Sequence, residues 1–179
     1  KIWNLDYFVE VIDYLTEKYG FQIVLYNNSS EREYALLAKE KIKNKANVFT
    51  DIFTANIREL AALLKNCDIF VGNEGGPRHI SESIGIPTFT VAYTTHVEED
   101  WIINQREWGS KNRMVQLDDY LNMNKEEFEK YRKTIGRNRE LEIEEFKKLK
   151  PDFVIEKLEK MIEELKNEKL FRDDIKWEK

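Results

Sequence analysis

The chain has 179 residues, 41% of them hydrophobic and 35% charged, with a net charge of −5 and a mean hydropathy of −0.64. That length suits one domain around one core, and the acidic balance, with Lys and Arg interspersed among Asp and Glu, argues against a nucleic-acid partner. No apolar run approaches the roughly 18 residues of a membrane span, no signal-peptide pattern opens the chain, and a lone cysteine, Cys67, points to a reducing, cytoplasmic setting in which it fills a small buried position.

Lys1 is not an initiator Met, so the true N-terminus is expected elsewhere. Leu5, Phe8, Ile12, Leu15 and Tyr19 recur at helical spacing and Gly20 stops the pattern as a C-cap would, which predicts an amphipathic first helix. Phe21 to Tyr26 reads as a short buried strand ended by the polar turn Asn27-Asn28-Ser29-Ser30. Ser30 and Glu33 have the spacing of a capping box, opening a helix through about Lys43.

The alternation then repeats. Asn47-Val48-Phe49 is a brief strand, and Ile57, Leu60, Ala61 and Leu64 form the apolar face of the next helix. Ile69 to Val71 is a strand, Arg78 to Ile84 a short helix, and Thr88 to Ala92 another strand. Strands alternating with helices predict a Rossmann-like, doubly wound parallel α/β sheet with helices on both faces. A long loop carrying Trp101 and Trp108 follows from Tyr93 to Arg113, before Met114 to Leu117 as an edge strand. Residues 1–123 would make the α/β core and 124–179 C-terminal helices, divided at Pro151, all within a single domain. No repeat or low-complexity linker marks a second one.

In an open parallel sheet, ligands bind beyond the carboxyl ends of the strands. The richest such loop is Gly72-Asn73-Glu74-Gly75-Gly76-Pro77-Arg78-His79. Its glycines would let the backbone adopt positive φ and approach a ligand, while Pro77 suits the first turn of a helix whose N–H groups and dipole favour a phosphate or diphosphate. The same glycines and proline are also compatible with a plain strand-to-helix turn. Glu74 and His79 shift the balance, because both face the same predicted mouth. No Asp-x-Asp pattern or carboxylate cluster suited to Mg²⁺ occurs, so no metal and no cofactor is expected.

These residues resemble the ADP-heptose:lipopolysaccharide heptosyltransferases, a family of GT-B glycosyltransferases whose C-terminal half carries N-[DE]-[ST]-G-P-x-H after a strand. The likeness extends through Ile57-Arg58-Glu59-Leu60-Ala61-Ala62-Leu63-Leu64 and Cys67-Asp68 to Gly85-Ile86-Pro87-Thr88, and Lys1-Ile2-Trp3 is similar to the family's K-x-W. The resemblance implies a donor-binding domain for a nucleotide-diphospho-sugar, ADP-linked, and a transferase acting on a lipopolysaccharide-core or other glycan acceptor in the cytoplasm or at the inner face of the membrane. It implies donor contacts from Lys1 near the phosphates, Glu31 at the ribose, and Asn73, Glu74, Gly75, Gly76, Pro77, Arg78 and His79 along the turn. It also implies a separate N-terminal half holding the catalytic base, so no catalytic residue is expected in this chain, which alone would not turn over. In the resembled fold the terminal helix crosses back to that half, which would occupy the apolar face of Val154 to Leu165; a dimerising helix pair is the alternative.

Three departures leave the donor sugar open. Glu74 stands for the usual Asp, Gly75 for Ser or Thr, and Asn27 and Asn28 for glycines before the acidic residue. Arg78 replaces an apolar residue and is read either as added charge beside the diphosphate or as a solvated surface arginine. The competing functions are a GT-B transferase for another nucleotide sugar and a non-catalytic nucleotide-binding or scaffold domain.

Overall fold

The computed structural model describes residues 2–26, 32–50, 52, 54–93, 111–136 and 138–169. Helix α1, Leu5–Tyr19, begins at Asn4, whose side chain accepts the Asp6 N–H, and ends at Gly20 with φ 66°. Glycine reaches that left-handed C-cap without the steric cost a Cβ would add. Strand β1 (Ile23–Val24) follows, then α2 (Arg32–Lys41) and β2 (Val48–Phe49). The next elements are α3 (Ile57–Leu64), β3 (Phe70–Asn73), α4 (Gly76–Ser83), β4 (Thr88–Ala92) and β5 (Asn112–Gln116). Helices α5 (Leu117–Leu121), α6 (Lys125–Ile135), α7 (Arg139–Phe146) and α8 (Pro151–Asn167) complete the described chain.

All strand pairings are parallel, but they fall into two groups. β1 pairs with β2, while β4 lies between β3 and β5. Every residue of β4 is buried, so both of its faces are covered. Phe89 and Val91 join a core made with Val11 and Leu15 of α1, Val115 of β5, and Val154, Leu158, Met161 and Leu165 of α8. Thr88 projects to the opposite face, within hydrogen-bonding distance of Glu82 on α4. A second cluster, Val9, Ile12, Ala38, Ile42 and Val48, packs α1 and α2 against β2. The α/β expectation and the helix-covered parallel sheet are therefore met.

The terminal helix departs from expectation. Its apolar face, Val154 to Leu165, is buried within this domain against α1 and the sheet rather than left for another half or a helix partner. Tyr14, Lys18 and Tyr19 of α1 converge on Glu159 of α8 and tie the two helices together. Hydrogen bonds from Lys18 and Tyr14 hold the Glu159 carboxyl below its usual pKa, and burial together with the Glu159 charge pushes Tyr19 up to about 12. Two smaller expectations also change. Ile57, at the first turn of α3, is 70% exposed although Leu60 and Leu64 on the same stripe are buried, and Cys67 is only half-buried.

Candidate functional site

The turn expected from sequence lies where β3 ends and α4 begins. Pro77 sits in the first turn of α4, where its missing N–H costs nothing and its fixed φ suits the helix. The expected positive φ is absent: Gly75, the N-cap, has φ 163° and is extended, and the positive-φ glycines among the described residues are Gly20, Gly85 and Gly136. The space around the turn's glycines differs from one to the next. A Cβ at Gly76 would meet nothing within 4 Å and one at Gly75 would only reach Pro77 at 4.0 Å, so the backbone here faces an open mouth. At Gly72 a Cβ would lie 2.8 Å from the Phe70 ring, so that glycine accommodates its neighbour.

From Gly75 to Arg78 the sequence offers three main-chain N–H donors, and the structure leaves two of them for a ligand. Proline has no N–H, and the Arg78 N–H donates to the Gly75 carbonyl at 3.1 Å. Gly75 and Gly76 supply the remaining main-chain donors of the turn.

Glu74 and His79 stand together at the mouth, with His79 Nε2 3.8 Å from Glu74 Oε1 and both side chains about one-third exposed. The other ring nitrogen, Nδ1, is 3.9 Å from Glu82 Oε2, so the imidazole is flanked by two carboxylates. Such a ring can offer a proton on either nitrogen.

Arg78 is not the solvated surface arginine that the sequence allowed. Its side chain is 2% exposed and turned into the domain, where Nε donates to Glu82 Oε1 at 2.8 Å. The same carboxylate oxygen lies 3.3 Å from the Thr88 hydroxyl, which is also 2.9 Å from Asn112 Oδ1 and can donate to one of them at a time. This chain of polar groups bolts α4 to β4 and β5 beneath the mouth. An i,i+4 Arg–Glu pair was visible in the sequence and is the signal that could have revealed it. The buried Arg78 Nη1 has no acceptor among the described residues.

Asn73 also takes a different part from the one expected. Its Oδ1 accepts the Trp3 N–H at 3.0 Å, and Trp3 Nε1 donates to the Leu149 carbonyl at 2.9 Å. Trp3 is 1% exposed and packs edge-on against Tyr7 and Phe8. Through its backbone N–H and its indole, Trp3 thus joins the end of β3 to the chain entering α8, and the segment Ile2–Trp3 is brought to the turn. Trp3, which the K-x-W likeness named without a role, is a positioning residue. Lys1 and Glu31, with Asn27, Asn28, Trp101 and Trp108, lie outside the described residues. Tyr93 is in the core against Phe128 and Phe146, away from any site role.

Among the described residues no three His, Cys, Asp or Glu side chains converge as metal ligands, and no helix is long and apolar enough to cross a membrane. A family model described as glycosyltransferase family 9 (heptosyltransferase) matches residues 1–135. Searches among curated proteins and among solved structures gave no match.

Proposed function

The chain belongs to glycosyltransferase family 9, and from that premise we propose that the Gly72–His79 turn holds the diphosphate of a nucleotide-linked sugar, an ADP-heptose, for transfer to a lipopolysaccharide-type acceptor. The observation that carries the reading is the open turn itself: Gly75 and Gly76 N–H donors at the N-terminus of α4, with Glu74 and His79 paired beside them. As the bond from the anomeric carbon to the diphosphate oxygen breaks, negative charge grows on the leaving group. A fixed helix terminus stabilises that charge more in the transition state than in the bound donor.

In this reading His79 donates to a phosphate oxygen and Glu74 accepts hydrogen bonds from sugar hydroxyls. Lys1 adds positive charge near the phosphates and Glu31 contacts the ribose. These groups take the place of a divalent cation. Arg78 acts at one remove, by holding α4 on the sheet. The base that deprotonates the acceptor belongs to a separate N-terminal half, and the acceptor is bound mainly there.

Replacing Glu74 in the whole transferase tests the assignment. Glu74→Ala is expected to lower kcat/KM at least tenfold, about 1.4 kcal/mol of transition-state stabilisation, with Glu74→Asp retaining most activity. Unchanged activity in Glu74→Ala would favour a domain that kept the sheet but lost the chemistry.

A further inference from the structure

Between the two groups of strands runs a cleft of about 760 Å³. On one side it is lined by the chain from Gly20 to Tyr26, which contains β1, and on the other by Cys67, Ile69, Val71 and Asn73 of the segment containing β3. It therefore extends along the full length of both strands, from their amino ends to their carboxyl ends, and does not gather at the carboxyl ends as a nucleotide site would. Its walls are chiefly apolar, yet Ile23, Val24, Ile69 and Val71 are only half-buried, whereas β4 in the same layer is buried throughout.

The backbones on either side face inward, with no strand between them among the described residues. The Leu25 N–H donates to Phe49 of β2, and Phe70 N–H donates to Pro87 ahead of β4. Because donors alternate sides along a strand, Val24 and Val71 turn their N–H and C=O groups toward the cleft. A strand occupies about 160 Å³ per residue from spacings of roughly 3.3, 4.8 and 10 Å, so the cleft has room for about five residues, an ordinary strand length.

We propose that this cleft is the seat of a parallel apolar β-strand supplied by the polypeptide immediately ahead of Lys1, which joins the two groups of strands into one sheet. The direction is set by Trp3. Its N–H is held by Asn73 at the carboxyl end of β3, so a strand filling the cleft and leading into Ile2 runs parallel to β1 and β3. Helix α1 then returns the chain to Gly20 at the amino end of β1. Strand, α1 and β1 form one βαβ unit with neighbouring strands, the arrangement that a right-handed crossover produces. The inference does not depend on the donor reading.

Hydrogen exchange compares the 179-residue chain with one that also carries the roughly ten residues encoded directly ahead of Lys1, ample for one strand. The amides of Val24 and Val71 are expected to exchange at least tenfold more slowly in the longer chain, and a Pro placed at the centre of the added segment is expected to remove that protection. Equal exchange in the two chains, or protection that survives the proline, would overturn the proposal. So would protection in the 179-residue chain that rises with its concentration, which would make a second copy the occupant. Should the shorter chain not hold its fold, the same amides are read in the longer chain against its urea-unfolded rate, and unprotected amides there overturn it equally.

Discussion

The two strand groups of this domain differ in what closes them. β4 has a strand on each side and helices on both faces, and all five of its residues are buried. Among the described strands β1 has only β2 beside it, and its two residues are half-buried although both are aliphatic. Apolar composition alone therefore does not make a core; β4 is covered on both edges and both faces, whereas β1 is not. The candidate site is built on the group that contains β4, where the Arg78–Glu82 pair ties α4 to the sheet beneath the turn.

The largest effect expected from breaking that contrast is at the closed group's polar bolt. Arg78→Met leaves the buried Glu82 carboxylate without its cation and should cost about 3–5 kcal/mol in urea unfolding, most of which Arg78→Met combined with Glu82→Leu should recover.

Truncations of apolar side chains sharpen the comparison next. Leu158→Ala, in the core shared by α8 and the sheet, should cost about 2–5 kcal/mol. Val24→Ala, on the open edge, should cost below about 1 kcal/mol. Equal losses at the two positions would show that the open edge is as well packed as the closed one.

Much of this organisation was legible in the sequence because its signals are local. The Gly20 cap and the helical spacing ahead of it define α1 without any tertiary information, and the five residues of β4 coincide with those read as a strand. What was hidden depends on partners. Periodicity identified the apolar face of α8 but not that α1 and β5 cover it, and it placed Ile57 on a stripe whose cover stops one turn short. At the site, the position of the turn was readable, while the inward direction of Arg78 and the hold of Asn73 on Trp3 are long-range facts. The glycines looked suited to positive φ, yet none of the turn's three adopts it, and only Gly72 is held to glycine by a close neighbour.

A modest effect is expected at the α1–α8 clamp. Glu159→Gln should cost about 1 kcal/mol, since its hydrogen bonds to Lys18, Tyr14 and Tyr19 are only partly shielded from water. Because its folded pKa is lowered, the stabilisation is present above the ordinary carboxylate pKa near 4.3 and is lost as pH falls through the lower folded value. Acid unfolding of the variant should accordingly show a weaker pH dependence below about pH 4.

The central claim, that the Gly72–His79 turn binds the donor's diphosphate, is tested most directly by titrating the chain with ADP, UDP and GDP while following its backbone amides by NMR. The account predicts that ADP binds in preference to the other two, that the amides of Gly75 and Gly76 shift most, and that adenosine without phosphates leaves them unmoved. Shifts centred elsewhere with a silent turn would contradict it.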